Sequence, residues 1–209
     1  MIMLKTYTLI GDVEPELNWL KAIGPCRGMA VDIGANQGFY SLALTRLYTK
    51  VLSFEPNKKV AATLIAAALP RVKVIHVGLS SKEGEATFYI PSFQGMSLPG
   101  WASVDEHNCP GATEIEELKI HLRTLDSYYL KEVGFIKIDV EGHECEVLRG
   151  AVETIQRERP HLLVEVRDHH LSEIRTLLSG FGYYETTLQA LGGPKGAQGN
   201  HLFVPVTQA

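Results

Sequence analysis

Val31-Asp32-Ile33-Gly34-Ala35-Asn36-Gln37-Gly38 carries an apolar strand into a glycine-rich turn, and Phe39-Tyr40-Ser41-Leu42-Ala43-Leu44 then opens a helical pattern. A βα turn of this kind presents backbone amides to a nucleotide. Its dinucleotide form reads G-x-G-x-x-G and lays a pyrophosphate on the helix N-terminus. Here Asn36 stands where that form has its second glycine, and Asp32 sits two residues before the first. A carboxylate at that strand end would repel a diphosphate and attract a cationic amino-acid tail. S-adenosylmethionine has such a tail, an adenosine and no phosphate. The turn alone also fits a tight βα connection with no ligand.

A second acid supports the ligand reading. Val51-Leu52-Ser53-Phe54-Glu55-Pro56 reads as a buried strand that ends in an acid and is stopped by proline. Glu55 follows the glycine turn at about the spacing where an acid meets ribose hydroxyls in a βαβ unit. A carboxylate accepts two hydrogen bonds from a cis-diol, which suits an unphosphorylated ribose. Ligands in such sheets bind outside the carboxyl ends of the strands. This places Asp32, Glu55 with Pro56, Gly78 and Asp139 around one crevice. Gly34 and Gly38 are expected to let the backbone approach the ligand. Asn36 either shapes the turn or bonds the methionine carboxylate, and Gly78-Leu79 flank the adenine.

Composition bounds the answer. The 209 residues suit one domain, expected over 1–209 with a short helical segment at about 13–23. A formal net charge of -4 argues against broad nucleic-acid binding. Three cysteines (Cys26, Cys109 and Cys145) without C-x-x-C spacing favour reduced thiols and a cytoplasmic setting. No apolar run reaches membrane-spanning length, and the N-terminus lacks a signal-peptide layout. The expected partner is a small-molecule acceptor, with the chain a monomer or small homo-oligomer.

Strands alternate with helices, which predicts a doubly wound, mostly parallel α/β sheet. Strands are expected at 28–33, 50–54, 72–77, 135–140 and 161–166. Helices are expected from residue 39 through Tyr48 and at 58–69, 144–157 and 172–179. Extended runs 183–188 and 201–206 read as a closing antiparallel hairpin. Residues 72–90 read as another hairpin. Ser92 to Glu117 is the least regular stretch, and loops of that length are often functional. Trp101 within it suggests a lid over the acceptor.

Asp139-Val140-Glu141-Gly142-His143-Glu144 is the expected catalytic corner. A histidine titrating near neutral pH is a good general base for a hydroxyl, and Asp139 can do the same or orient the base. Glu141 completes the set, with Gly142 permitting a sharp turn. The competing role for Glu141, His143 and Glu144 is to cap the helix that follows. A divalent cation on Asp139 with Asp168 or His169 is chemically feasible. The spacing is not diagnostic, and no metal is expected. His169-His170 otherwise reads as a solvated loop, and Lys137, inside an apolar strand, can reach a carboxylate near its end.

VDIGANQGFYSL, FEP, GLSSKEGEATF, TLDSYY, FIKIDVEGHECEVLRGA and RPHLLVEV, in this order, resemble the FkbM family of S-adenosylmethionine-dependent methyltransferases over roughly residues 28–206. The resemblance implies a class I methyltransferase fold and O-methylation of a hydroxyl, often on a sugar or natural-product scaffold. The segment Ser92 to Glu117 matches no block of the family, so the resemblance says least about the acceptor. N-methylation of a small amine and a non-catalytic nucleotide-binding module stay as alternatives. Asp32 and Asn36 argue against a nicotinamide dehydrogenase.

Overall fold

The computed structural model describes residues 15–23, 28–108, 111–166, 168–193, 195–196 and 199–206, without the side chains of residues 23, 168 and 169. Cys26, Cys109 and Arg167 lie outside that description, as do the side chains of Asp168 and His169. The elements in chain order are α1 (Glu16–Ile23), β1 (Met29–Ile33), α2 (Phe39–Leu44), β2 (Lys50–Phe54), α3 (Lys58–Ala66), β3 (Val72–Ile75), β4 (Gly78–Leu79), β5 (Gly84–Phe93) and β6 (Met96–Ser97). After two single-turn 3-10 segments come β7 (Glu114–Arg123), β8 (Val133–Ile138), α4 (Glu144–Arg149), α5 (Val152–Glu158), β9 (His161–Glu165), α6 (Asp168–Gly180), β10 (Tyr183–Thr186) and β11 (Asn200–Pro205).

Seven strands form one sheet in the order β10-β11-β9-β8-β1-β2-β3. β3, β2, β1, β8 and β9 run parallel, and β11 pairs antiparallel with both β9 and β10. The doubly wound reading with its closing hairpin therefore holds. Side-chain alternation explains the two covered faces. Val31, Ile33, Ile136, Ile138, Leu162 and Val164 share a core with Val147, Leu148, Ile155, Ile174 and Leu178 of α4 to α6. Ala30, Val51, Phe135 and Leu163 point the other way, against Leu17, Leu20, Ala43 and Leu44 of α1 and α2. No helix among the described residues is long and apolar enough to cross a membrane.

Three expectations are corrected. Residues 72–90 do not form a hairpin. β3 pairs parallel with β2, and the chain then leaves for a second sheet of order β4-β7-β5-β6. There β5 finds its partner in β7, from Gly84↔Leu122 to Ser92↔Glu114. Phe88 and Ile90 of β5 pack with Ile120 of β7 and with Ala102, a match that β3 does not offer. The described residues 98–108 and 111–113 of Ser92–Glu117 thus belong to a strap between two strands. The expected helix 144–157 is broken at Gly150-Ala151. Asp126 N takes the Gly150 carbonyl at 3.0 Å, and the Asp126 carboxylate takes the amides of Glu153 and Thr154 at 3.0 and 2.8 Å. That carboxylate caps the start of α5 and gives it a separate beginning. α6 begins at Asp168 rather than Ser172, so His169 and His170 belong to its first turn and not to a loop.

β1 and β8 are tied together at their carboxyl ends. Asp139 N donates to the Ile33 carbonyl at 3.0 Å. Gly34 has φ 80°, and a Cβ there would fall on the Asp139 carbonyl oxygen. At Gly38, also φ 80°, a Cβ would meet the Leu64 side chain. The protein's own packing thus leaves no room for a side chain at either position. Gly34→Ala is expected to lower the stability of the ligand-free protein by more than the ~1–2 kcal/mol of the left-handed backbone alone, because a carbonyl must also move. Urea denaturation checks this, and a loss no larger than that backbone cost would show that the Asp139 carbonyl adds nothing.

Candidate active site

A cleft of about 630 Å³, open solvent included, lies beyond the carboxyl ends of β1, β2 and β8. One side is built from three strand ends. These supply Ile33, Gly34 and Asn36, then Phe54, Glu55 and Pro56, then Asp139, Val140, Glu141 and His143. The opposite wall comes from the second sheet and its strap, with Gly78, Leu79, Phe88, Ile120, Leu122, Pro99, Gly100, Ala102 and Val104. Every site residue expected from the sequence lines this cleft except Asp32 and Gly38.

Asp32 is 2% exposed, and its Oδ2 accepts a hydrogen bond from Ser41 Oγ at 2.5 Å. Ser41 Oγ also lies 2.7 Å from Ser53 Oγ. Asp32, Ser53 and Lys137 are register partners across β2, β1 and β8, on the face that α1 and α2 cover. Asp32 therefore ties the first βα unit together beneath the turn. Its placement at the cleft surface is corrected.

Glu55 keeps its expected position. It is 6% exposed. Oε2 accepts from Asn36 N at 2.9 Å and Oε1 from Asn57 N at 2.8 Å. One carboxylate thus joins the glycine turn to the start of α3, and each oxygen retains a lone pair. Burial raises its pKa to about 7, the two amide hydrogen bonds oppose the rise, and the nearby Asp32 charge adds to it. Asn36 is in the left-handed region with φ 45°. Asn57 caps α3, its Oδ1 accepting from Lys59 N at 3.0 Å and Val60 N at 3.4 Å.

On the same side of the cleft, Asp139, Glu141 and His143 come together at the end of β8. Lys137 is 1% exposed, with its ammonium 3.9 Å from Asp139 Oδ2, 3.3 Å from Glu165 Oε2, 3.1 Å from Asn200 Oδ1 and 5.1 Å from the Tyr40 ring centroid. It reaches carboxylates near its strand end, as its position in the sequence suggested. His143 is the N-cap residue of α4 without a side-chain cap bond. Its Nε2 lies 2.9 Å from Ser80 Oγ. Burial lowers the His143 pKa below 6.5, with the Glu146 charge opposing, so the imidazole is neutral and able to take a proton at pH 7. Glu144 Oε1 accepts from Gly142 N at 2.8 Å, a bond inside the turn that precedes α4.

Two further residues were not visible in the sequence. Ser103 Oγ and Asn108 Nδ2 both donate to the Glu141 carbonyl, at 2.7 and 2.5 Å. They lie in the irregular stretch, where no periodicity marks them. Trp101, expected as a lid, is 55% exposed and stands edge-on to Phe93 with ring centroids 5.8 Å apart. Its neighbours Gly100 and Ala102 line the cleft, and Trp101 does not. Among the described residues there is no group of three or more His, Cys, Asp or Glu placed to hold a metal ion. The expected alternative partners of Asp139, the Asp168 and His169 side chains, lie outside the described residues.

Residues 32–185 match the methyltransferase FkbM domain. Methyltransferase sdnD of Sordaria araneosa is 33% identical over 162 residues, and the match spans 62% of each chain. The 2-O-methyltransferase NoeI of Sinorhizobium fredii is 25% identical over 191 residues, covering 82% of this chain and 77% of its own. Among solved structures, Methyltransferase FkbM of Methylobacillus flagellatus superposes with a TM-score of 0.57 at 16% identity. That match covers 84% of this chain and 43% of the other, a likeness of fold.

Glu55 gives the site a measurable signature. The folded chain holds the Glu55 proton up to about pH 7, and the unfolded chain releases it near 4.5. Between those values the native state binds more protons, so stability falls as pH rises. The full effect is on the order of 3 kcal/mol for a gap of about 2.5 units. Denaturation midpoints from pH 4.5 to 8 are expected to carry this slope in the ligand-free protein and to lose it in Glu55→Gln.

Proposed function

The chain belongs to the FkbM methyltransferase family, and we propose that it transfers a methyl group from S-adenosylmethionine to a hydroxyl of a small molecule such as a sugar or a natural-product scaffold. The observation that carries this reading is Glu55. It is a buried carboxylate at a cleft wall, anchored through both oxygens yet with lone pairs remaining, and held near its titration point by burial. A ribose diol supplies the two O–H donors that such a group lacks. The binding residues are then Glu55 for the ribose, Asn36 and the Gly34 turn for the methionine end, and Gly78-Leu79 with Pro56 for the adenine. When bound, S-adenosylmethionine supplies an electrophilic methyl group on a sulfonium.

The chain's own residues have three tasks. The first is alignment, since an in-line displacement depends on placing donor and acceptor in contact. The two turns that leave β1 and β8 from one point provide it. The second is removal of a proton. In the tautomer whose Nε2–H donates to Ser80 Oγ, 2.9 Å away, the His143 lone pair is on Nδ1, and that atom takes the acceptor proton. Ser80 holds the ring as the proton arrives. The third is charge. Asp139, steadied by Lys137, offers an acceptor oxygen to a substrate hydroxyl and favours the imidazolium that forms. The wall of Phe88, Val104, Ile120 and Leu122 keeps water from the reacting atoms. The name 2-O-methyltransferase carried by NoeI supports a hydroxyl as the acceptor group.

Calorimetry with S-adenosylhomocysteine tests the donor side. Wild type is expected to bind, and Glu55→Ala to bind more weakly by about 1–3 kcal/mol, the value of hydrogen bonds to a charged group. Equal affinity in the two proteins would remove Glu55 from the ribose site. Turnover at saturating donor, against a panel of sugars and natural-product alcohols, tests the acceptor side. His143→Ala is expected to lose about 10²–10⁴-fold. A larger loss in Asp139→Asn than in His143→Ala would move the base to Asp139.

A further inference from the structure

The turn that carries His143 is held by the strap. Glu141 has φ 52° and Gly142 φ 97°, so two successive residues are left-handed. A residue other than glycine stays in that region where its surroundings over-determine it. Here they do. Ser103 Oγ and Asn108 Nδ2 converge on the Glu141 carbonyl at 2.7 and 2.5 Å. The two anchors are also bonded to each other, with Asn108 Nδ2 3.3 Å from Ser103 Oγ, and Asp105 N donates to that same hydroxyl at 3.1 Å.

Counting donors closes the network. A serine hydroxyl has one proton and two lone pairs. Ser103 accepts from Asn108 and from Asp105, so its proton points at Glu141. The Asn108 amide has two N–H groups, and these go to Glu141 and Ser103. Both residues are buried, at 0% and 9% exposure. A Cβ at residue 142 would fall on the Asn108 amide. The strap also reaches the donor side, since a Cβ on Gly100 would come within 2.8 Å of Asn36 Nδ2.

We propose that Asn108, backed by Ser103, is a positioning residue for His143, and that the strap thereby ties the wall of the cleft to the proposed base. The role in turnover rests on the methyl-transfer reading with His143 as base. Without the two donors the Glu141 carbonyl loses the hydrogen bonds that hold the turn, and the turn relaxes toward ordinary backbone angles. His143 is the next residue along the chain after Gly142 and the N-cap of α4, so its ring moves with that relaxation. Asn108→Asp keeps the volume and replaces the donors with oxygens that face an oxygen. It is therefore as harmful as Asn108→Leu if hydrogen bonding is the cause.

Hydrogen exchange and kinetics on the full chain decide it. In Asn108→Leu and Asn108→Asp, amide exchange over residues 140–144 is expected to quicken roughly tenfold or more, with β8 still protected. Turnover at saturating donor should fall by about 10²-fold, the order expected from a small misplacement of a reacting group. The Kd for S-adenosylhomocysteine should stay within about twofold, since no phase of donor binding uses Asn108. Ser103→Ala should show the same pattern more weakly, and it serves as the test if the Asn108 variants do not fold. Ser103→Thr, which keeps the hydroxyl, should retain activity. Unchanged exchange over 140–144, or faster exchange spread evenly over the whole sheet with a matching fall in Tm, overturns the proposal. If wild type transfers no methyl group to any acceptor tried, the functional reading fails separately. The local exchange result then decides the anchoring role by itself.

Discussion

The Asp139 carbonyl occupies the space that a side chain at residue 34 would need, and the Asp139 amide is bonded to the Ile33 carbonyl. This contact joins the ends of β1 and β8 at the point where the sheet changes its winding direction. Both working turns leave from it. One runs through Asn36 toward α2, the other through Glu141 toward α4. Their relative placement is therefore a property of two neighbouring parallel strands in fixed register, Ile33 opposite Ile138. A site assembled on strand ends inherits the rigidity of the sheet. Alignment of two reactants, the main requirement of a displacement reaction, then costs little further ordering.

Buried charge in this chain divides into two kinds. Asp32 and Lys137 face the α1/α2 layer and are held by partners there, the first by Ser41 and the second by Glu165 and Asn200. Such groups can be replaced only at the cost of a buried ion left without a partner. Glu55 differs. Its two hydrogen bonds come from backbone amides that draw two loops together, and burial leaves it near neutrality with respect to its proton. A carboxylate poised in this way responds strongly to any further donor placed beside it, because each new hydrogen bond favours the ionised form. This is the physical difference between an acid that holds a fold and one that can also hold a ligand, and both occur within the first two strands.

Strand ends and turns were legible in the sequence because they leave local signs. A buried strand that stops at an acid, a proline after Glu55 and glycines around Asn36 all encode backbone events within a few residues. Glu55, Asn36, Asp139, Glu141 and His143, read from such signs, line one cleft. Asp32 was misread because its position at a strand end does not reveal which face it takes. The register with Ser53 and Lys137 decides that, and register is a long-range property. The packing role of Gly34 and Gly38 left no local sign for the same reason, since Asp139 and Leu64, which exclude a side chain there, are distant in sequence. The second sheet left the least trace. Its ten-residue strands β5 and β7 are separated by a strap with no periodicity, so Ser103 and Asn108 had no local signal at all.

The second sheet has a consequence for how such a cleft can diversify. The donor side is made from strand ends that the central core holds in place. The opposite wall comes from β5, β7 and the strap, packed around a small cluster of their own, Phe88, Ile90, Ala102 and Ile120. Substitutions in that cluster can reshape the wall with little effect on the larger core, because residues that share no neighbours contribute nearly independently to stability. The limit on this freedom is the Glu141 carbonyl, where the strap is bonded to the turn between β8 and α4. A wall that changes its shape must keep those two donors in place. The irregular segment is therefore constrained at Ser103 and Asn108 by a carbonyl that belongs to the other side of the cleft.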